Sequence, residues 1–104
     1  MIKNETILNT NTELLLVPTT KNYACIGILF CNFSEDDETV TIFAVKSGES
    51  IVDKATIIKD FKISAKNTLN FEFKLLLAEG DKVVAVGSNG SKVAATLSYT
   101  AFKG

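Results

Sequence analysis

The chain has 104 residues, 46% of them apolar, with 11 basic and 12 acidic side chains and a net charge of −1. That length and apolar content suit one domain with its own hydrophobic core and exclude a disordered chain. All the basic residues are lysine, both signs of charge are scattered, and no apolar run approaches the roughly 20 residues of a membrane helix, so neither a nucleic-acid footprint nor a membrane partner is expected.

Along the chain the dominant hydrophobic period is two, the signature of strands. Residues 1–12 are polar and carry no apolar signal-peptide core. Within a single domain spanning residues 1–104 they are expected to form a flexible or partner-contacting segment, with a short strand over Thr6–Asn9. Glu13–Val17 reads as a strand that Pro18, the only proline, ends or confines to a sheet edge, because proline has no N–H for a ladder. Tyr23–Phe33 is almost continuously apolar and suits a central strand. The acidic turn Ser34–Glu38 follows, then the β-branched Thr39–Val45, and the three together read as a hairpin.

Ser50–Ile63 admits two readings. Ser50 and Asp53 resemble a helix-capping pair, but Ala55, Ile57, Lys59, Phe61 and Ile63 alternate, and β-branched content favours a strand over Ala55–Ile63. Leu69, Phe71, Phe73, Leu75 and Leu77 alternate with Asn70, Glu72, Lys74 and Leu76, the clearest half-buried strand in the chain. Ala78–Asp81 is a tight turn in which Gly80 supplies positive φ and Asp81 orders the backbone. Asn89-Gly90 between apolar runs signals a type I′ hairpin. That turn sets Ser88 opposite Ser91, Val86 opposite Val93 and Val84 opposite Ala95, and assigns Val84, Val86, Val93, Ala95, Leu97 and Tyr99 to one core-facing surface. Seven or eight short strands with no internal repeat predict an all-β antiparallel sandwich, of jelly-roll or immunoglobulin-like type.

Catalytic chemistry has little to work with. The absence of histidine removes the commonest general base and metal ligand, and rules out a Ser-His-Asp or Cys-His arrangement within the chain. No phosphate-binding loop, dinucleotide fingerprint, CxxC or nucleophile elbow occurs, so no cofactor and no enzymatic activity are expected. Glu35, Asp36, Asp37 and Glu38 form the single candidate Ca²⁺ cluster, although their spacing differs from an EF-hand and four adjacent acids also suit a solvated loop tip. Glu72, Glu79 and Asp81 lie close in sequence, but nothing predicts a cleft that would make a pair of them a glycosidase couple. Cys25 and Cys31, about 20 Å apart at strand rise, are too far apart to bond to each other within their strand, and both are expected in the core. Most of the seven phenylalanines fit core positions, whereas Tyr23 and Phe102 sit near strand ends.

Several short segments carry a family resemblance: Val17-Pro18 ahead of the first long strand, Asn32-Phe33-Ser34 at its end, Thr68-Leu69 after a loop, Leu77-Ala78-Glu79-Gly80-Asp81 before the last two strands, and Ala94–Tyr99 at the close. In this order they resemble a group of small virion structural proteins of tailed bacteriophages, of the marine and cyanobacterial kind, over roughly residues 14–102. Lys66 stands where that group's loop is expected to carry glycine. The resemblance implies a non-enzymatic β-sandwich, made in the host cytoplasm and assembled into the virion at the tail, baseplate, neck or capsid exterior. Its expected partners are copies of itself or other virion proteins. The alternative reading is a module that binds a glycan or other host-surface ligand. Neither implies an active site.

Overall fold

The computed structural model describes residues 1–103. Eight strands follow one another: β1 (Ile2–Ile7), β2 (Thr12–Leu16), β3 (Tyr23–Asn32), β4 (Glu38–Val45), β5 (Thr56–Ile63), β6 (Thr68–Leu77), β7 (Lys82–Gly87) and β8 (Val93–Ala101). They form two four-stranded antiparallel sheets, ordered β1-β8-β3-β6 and β2-β7-β4-β5, packed as a β-sandwich. The pairing is nested. β1 pairs with β8, β2 with β7, β3 with β6 and β4 with β5. Only β4 and β5 are consecutive neighbours in one sheet.

This nesting revises both expected hairpins. The turn after β3 carries the chain from the first sheet to the second, so Tyr23–Asn32 pairs with β6 and β8 while Glu38–Val45 pairs with β5 and β7. The Asn89-Gly90 connection likewise changes sheets. Ser91, at φ 61°, takes the left-handed conformation there. Val84 therefore lies opposite Glu13 and Phe43, while Ala95 lies opposite Glu5 and Phe30. On β7 the core-facing residues are Val83 and Ala85, not Val84 and Val86. The Val-Val-Ala-Val run has no alternation of its own, so nothing local in it says which residues face the core. On β8, Val93, Ala95, Leu97 and Tyr99 do face inward.

The core is aliphatic and joins the sheets through Ile7, Cys25, Ile28, Phe30, Val93 and Leu97 on one side and Leu14, Val40, Ile42, Ile63, Val83 and Ala85 on the other. Burying each large side chain stabilises the fold by about 1.5–3 kcal/mol. Of the phenylalanines only Phe30 is fully buried, and Phe33 and Phe61 are exposed. β3 breaks its alternation at Ile26-Gly27, where its register shifts against both neighbours. That single kink separates the cysteines. Cys25 is buried in the core, whereas Cys31, also expected in the core, is exposed on the outer face. Burial pushes the Cys25 thiol pKa up, partly offset by a backbone hydrogen bond from Gly27.

The ambiguous segment is a single 3-10 turn, Asp53–Ala55, without a side-chain cap, leading into β5. β5 is itself irregular, with register shifts against β4 and Asp60 at φ 46°. Residues 1–12 contribute β1, an edge strand, and the start of β2.

Candidate functional site

Two regions stand out. The first is a polar corner where β3 ends and β4 begins, around the acidic loop. Asn32 is fully buried at an inward position, continuing the Ile28, Phe30 series. Its Nδ2 donates to the carbonyls of Asp36 at 2.8 Å and Ile63 at 2.9 Å. Its Oδ1 accepts from Ser34 N at 3.0 Å and Ser34 Oγ at 2.8 Å. One amide thus ties the end of β3, the acidic loop and the end of β5, bridging the sheets. Glu38 is buried beside it, and its Oε1 accepts from Ser88 Oγ at 2.7 Å and Asn89 Nδ2 at 3.0 Å. Ser88 Oγ in turn accepts from Thr39 N at 2.9 Å.

The four acidic residues diverge into separate structural tasks. Glu35 pairs with Lys66 at 3.0 Å. The Asp36 carbonyl accepts from Asn32 and from Ser34 Oγ. Asp37 Oδ1 accepts from Ala65 N at 3.0 Å and Oδ2 meets Lys62 Nζ at 3.4 Å. The Ala65 bond, then Lys62, holds the Asp37 carboxyl below its ordinary pKa of 3.8. Glu38 turns inward. Among the described residues no group of three or more His, Cys, Asp or Glu converges in a way that would hold a metal ion, so the candidate Ca²⁺ cluster does not form as a unit. The Ala78–Asp81 turn behaves as anticipated. Asp81 accepts from Ala78 N and Ser47 N, both at 2.9 Å, and Gly80 sits at φ 84° where a Cβ would run into the Ser47 side chain. Glu79 accepts from Thr20 N at 2.9 Å, and Glu72 stands apart on the outer face of β6.

The second region is the outer face of the first sheet with its β6 edge. Ile26 is 52% exposed, Leu29 43%, Leu76 63% and Ile2 65%. Small residues of β8 separate them, Ser98 opposite Ile2 and Thr96 between Asn4 and Leu29. A shallow depression opens where β3 kinks, lined by Ile26, Gly27, Leu29, Glu72, Lys74 and Ser98. On the inner side of the same edge, Leu69, Phe71, Phe73 and Leu75 are only partly buried. Phe71 meets Phe30 and the exposed Phe61 edge-on, with ring centroids 5.8 and 5.0 Å apart. Tyr23 packs against Tyr99 with tilted rings and centroids 4.8 Å apart, while Phe102 is exposed.

The sequence places Asn32 in a strand-end motif and Ser88 in a hairpin, and does not assign either its hydrogen-bonding role at the corner. The signal for Asn32 was a polar residue at an inward position ending an apolar run. Leu76 offered the second signal, an apolar residue in an otherwise polar outward series. A comparison with protein-family models finds no match, and no curated protein or solved structure matches the chain. No helix among the described residues is long and apolar enough to cross a membrane.

Proposed function

We propose that this protein is a non-enzymatic structural component of a bacteriophage particle, a jelly-roll module that works by assembly. Support for the jelly roll comes from the nested pairing of β1 with β8 through β4 with β5, an eight-stranded double-sheet arrangement that recurs in viral capsid and lectin domains. The observation that carries the assembly reading is the set of large apolar residues, Ile2, Ile26, Leu29 and Leu76, exposed on one sheet face. Large apolar side chains gathered on one face offer contact surface to a partner. The polar corner, by contrast, spends its donors and acceptors on itself. The particle is the site of action in this reading, and the tail, baseplate, neck and capsid exterior are the candidate locations.

Mass spectrometry and immunogold labelling of purified particles test the proposal. Recovery of the chain at a fixed copy number per particle is the expected result. Particles that lack it, with all of the protein left in the soluble lysate, would overturn the assembly role. Glycan-dependent stabilisation of the free protein in that case moves the role to ligand binding.

A further inference from the structure

Four strands form the edges of the two sheets: β1 and β6 in one, β2 and β5 in the other. Edge strands expose unpaired N–H and C=O groups, and soluble proteins blunt them with short length, kinks, charge or proline. Three of the four edges are blunted here. β1 has six residues and carries Lys3 and Glu5. β2 has five, a register shift at Glu13–Leu15, and Pro18 just beyond. β5 is kinked at Asp60 and carries Lys59, Asp60 and Lys62.

β6 is different. It runs for ten residues without glycine or proline, and its exposure alternates throughout, although its register against β3 shifts between Glu72 and Leu75. Among the described residues no side chain hydrogen-bonds to it beyond its ladder with β3. Its two charges, Glu72 and Lys74, flank Phe73.

We propose that β6 is a self-pairing edge, joining antiparallel to β6 of a second copy about a two-fold axis at Phe73. This rests on and deepens the assembly reading, because it names the partner and the strand. The charge pattern selects the register. Centred on Phe73, Glu72 of each copy faces Lys74 of the other, Phe71 faces Leu75, and Leu69 faces Leu77. A two-fold placed between two residues of β6 would instead pair core-facing with outward-facing positions, which the common sheet face excludes. Centring instead on Glu72 or on Lys74 sets that charge against itself in the other copy, which is destabilising. In the selected register the first sheets of both copies merge into one eight-stranded sheet. The half-open row of Phe71, Phe73 and Leu75 gains cover from its counterpart. The interface is isologous and closes at two copies, so it yields a dimer and not a fibre.

Light scattering and sedimentation of the full chain, across concentrations, test this with charge variants on the exposed side of β6. The wild type is expected to be a dimer. Glu72→Lys and Lys74→Glu each create two like-charge contacts, and each is expected to weaken the dimer by about tenfold or more. Mixed in equal amounts, the two variants regain both opposite-charge contacts and are expected to form a heterodimer of near wild-type affinity. Unchanged folding of each variant is read from circular dichroism. A wild-type monomer throughout, single variants that remain dimeric, or a mixture that fails to recover would each overturn the β6 pairing. None of these results touches the presence of the chain in particles, which is measured separately and alone decides the assembly reading.

Discussion

The polar corner and the β6 edge handle unpaired polar groups in opposite ways. At the corner polar groups meet side chains of the same molecule: Asn32 takes two carbonyls and an amide, Glu38 takes two side-chain donors, and Asp37 takes Ala65 N. At β6 one side of a ten-residue strand pairs with β3 and the other has no strand partner among the described residues. A buried polar group left without a partner costs about 1–3 kcal/mol, so the corner contributes to stability through satisfaction. A solvent-facing edge costs nothing until a second strand arrives. Substitutions in the first region should therefore change folding free energy, and substitutions on the exposed side of the second should change only association.

The largest effect is expected at Asn32. Asn32→Ala removes four hydrogen bonds at a fully buried site and strands the Ile63 carbonyl, which predicts a loss of about 2–4 kcal/mol. A lower urea midpoint at unchanged slope measures it. Glu72→Lys, the matching change on the edge, should stay within about 0.5 kcal/mol in the same experiment. Equal losses at both positions would break the contrast.

Glu38 comes next. Glu38→Ala removes the acceptor of the Ser88 hydroxyl and the Asn89 amide, but both donors lie at the surface where water replaces it, so the cost is about 1 kcal/mol. Glu38→Gln keeps an acceptor oxygen in place and should cost less than half as much by the same denaturation measurement. If the two variants are equally damaging, the charge and not the hydrogen-bond count holds the corner.

These residues also show how far the sequence could be read. The alternation of Leu69–Leu77, the breaks at Pro18 and Gly80, and the capping role of Asp81 were all legible, because face and chain reversal are local properties. Strand partners were not. Turn chemistry marks where the chain reverses, but nothing local says which sheet receives the next strand, and in a nested fold nearly every tight turn changes sheets. Asn89-Gly90 marked a real reversal and gave the wrong pairing for that reason. Cys31 was misplaced by the kink at Ile26-Gly27, which no side-chain pattern announces. The acidic loop was seen as a cluster because its residues are adjacent. Its geometry separates them, since Asn32 and Lys62, Ala65 and Lys66 draw each toward a different partner.

A smaller effect is expected at Lys66, in the loop that leads from the corner into β6. Lys66 holds φ at 62°, a conformation that costs a side chain about 1 kcal/mol and glycine almost nothing. Lys66→Gly relieves that strain but loosens the unfolded chain and gives up an exposed ion pair with Glu35. The balance predicts a net gain of about 0.5 kcal/mol, or about 2–4 °C in melting temperature. A drop would mean that the Glu35–Lys66 contact outweighs the backbone.

The smallest effect is a pH dependence at Asp37, which lies at the solvent side of the same loop. Its carboxylate is favoured by the Ala65 N–H first and by Lys62 second, so its pKa in the folded protein lies below the ordinary 3.8. A depressed carboxyl contributes stability that is present above its unfolded pKa and is lost as pH falls through its folded one. The melting temperatures of wild type and Asp37→Asn should therefore differ by a constant amount from neutral pH down to about pH 4 and converge below it. Added salt should shrink the Lys62 part of that gap and leave the Ala65 part, because screening acts on the exposed charge pair more than on a hydrogen bond made to the backbone. A gap that vanished entirely in high salt would assign Asp37 to surface electrostatics, and would leave Asn32 and Glu38 alone to hold the corner against the open edge beside it.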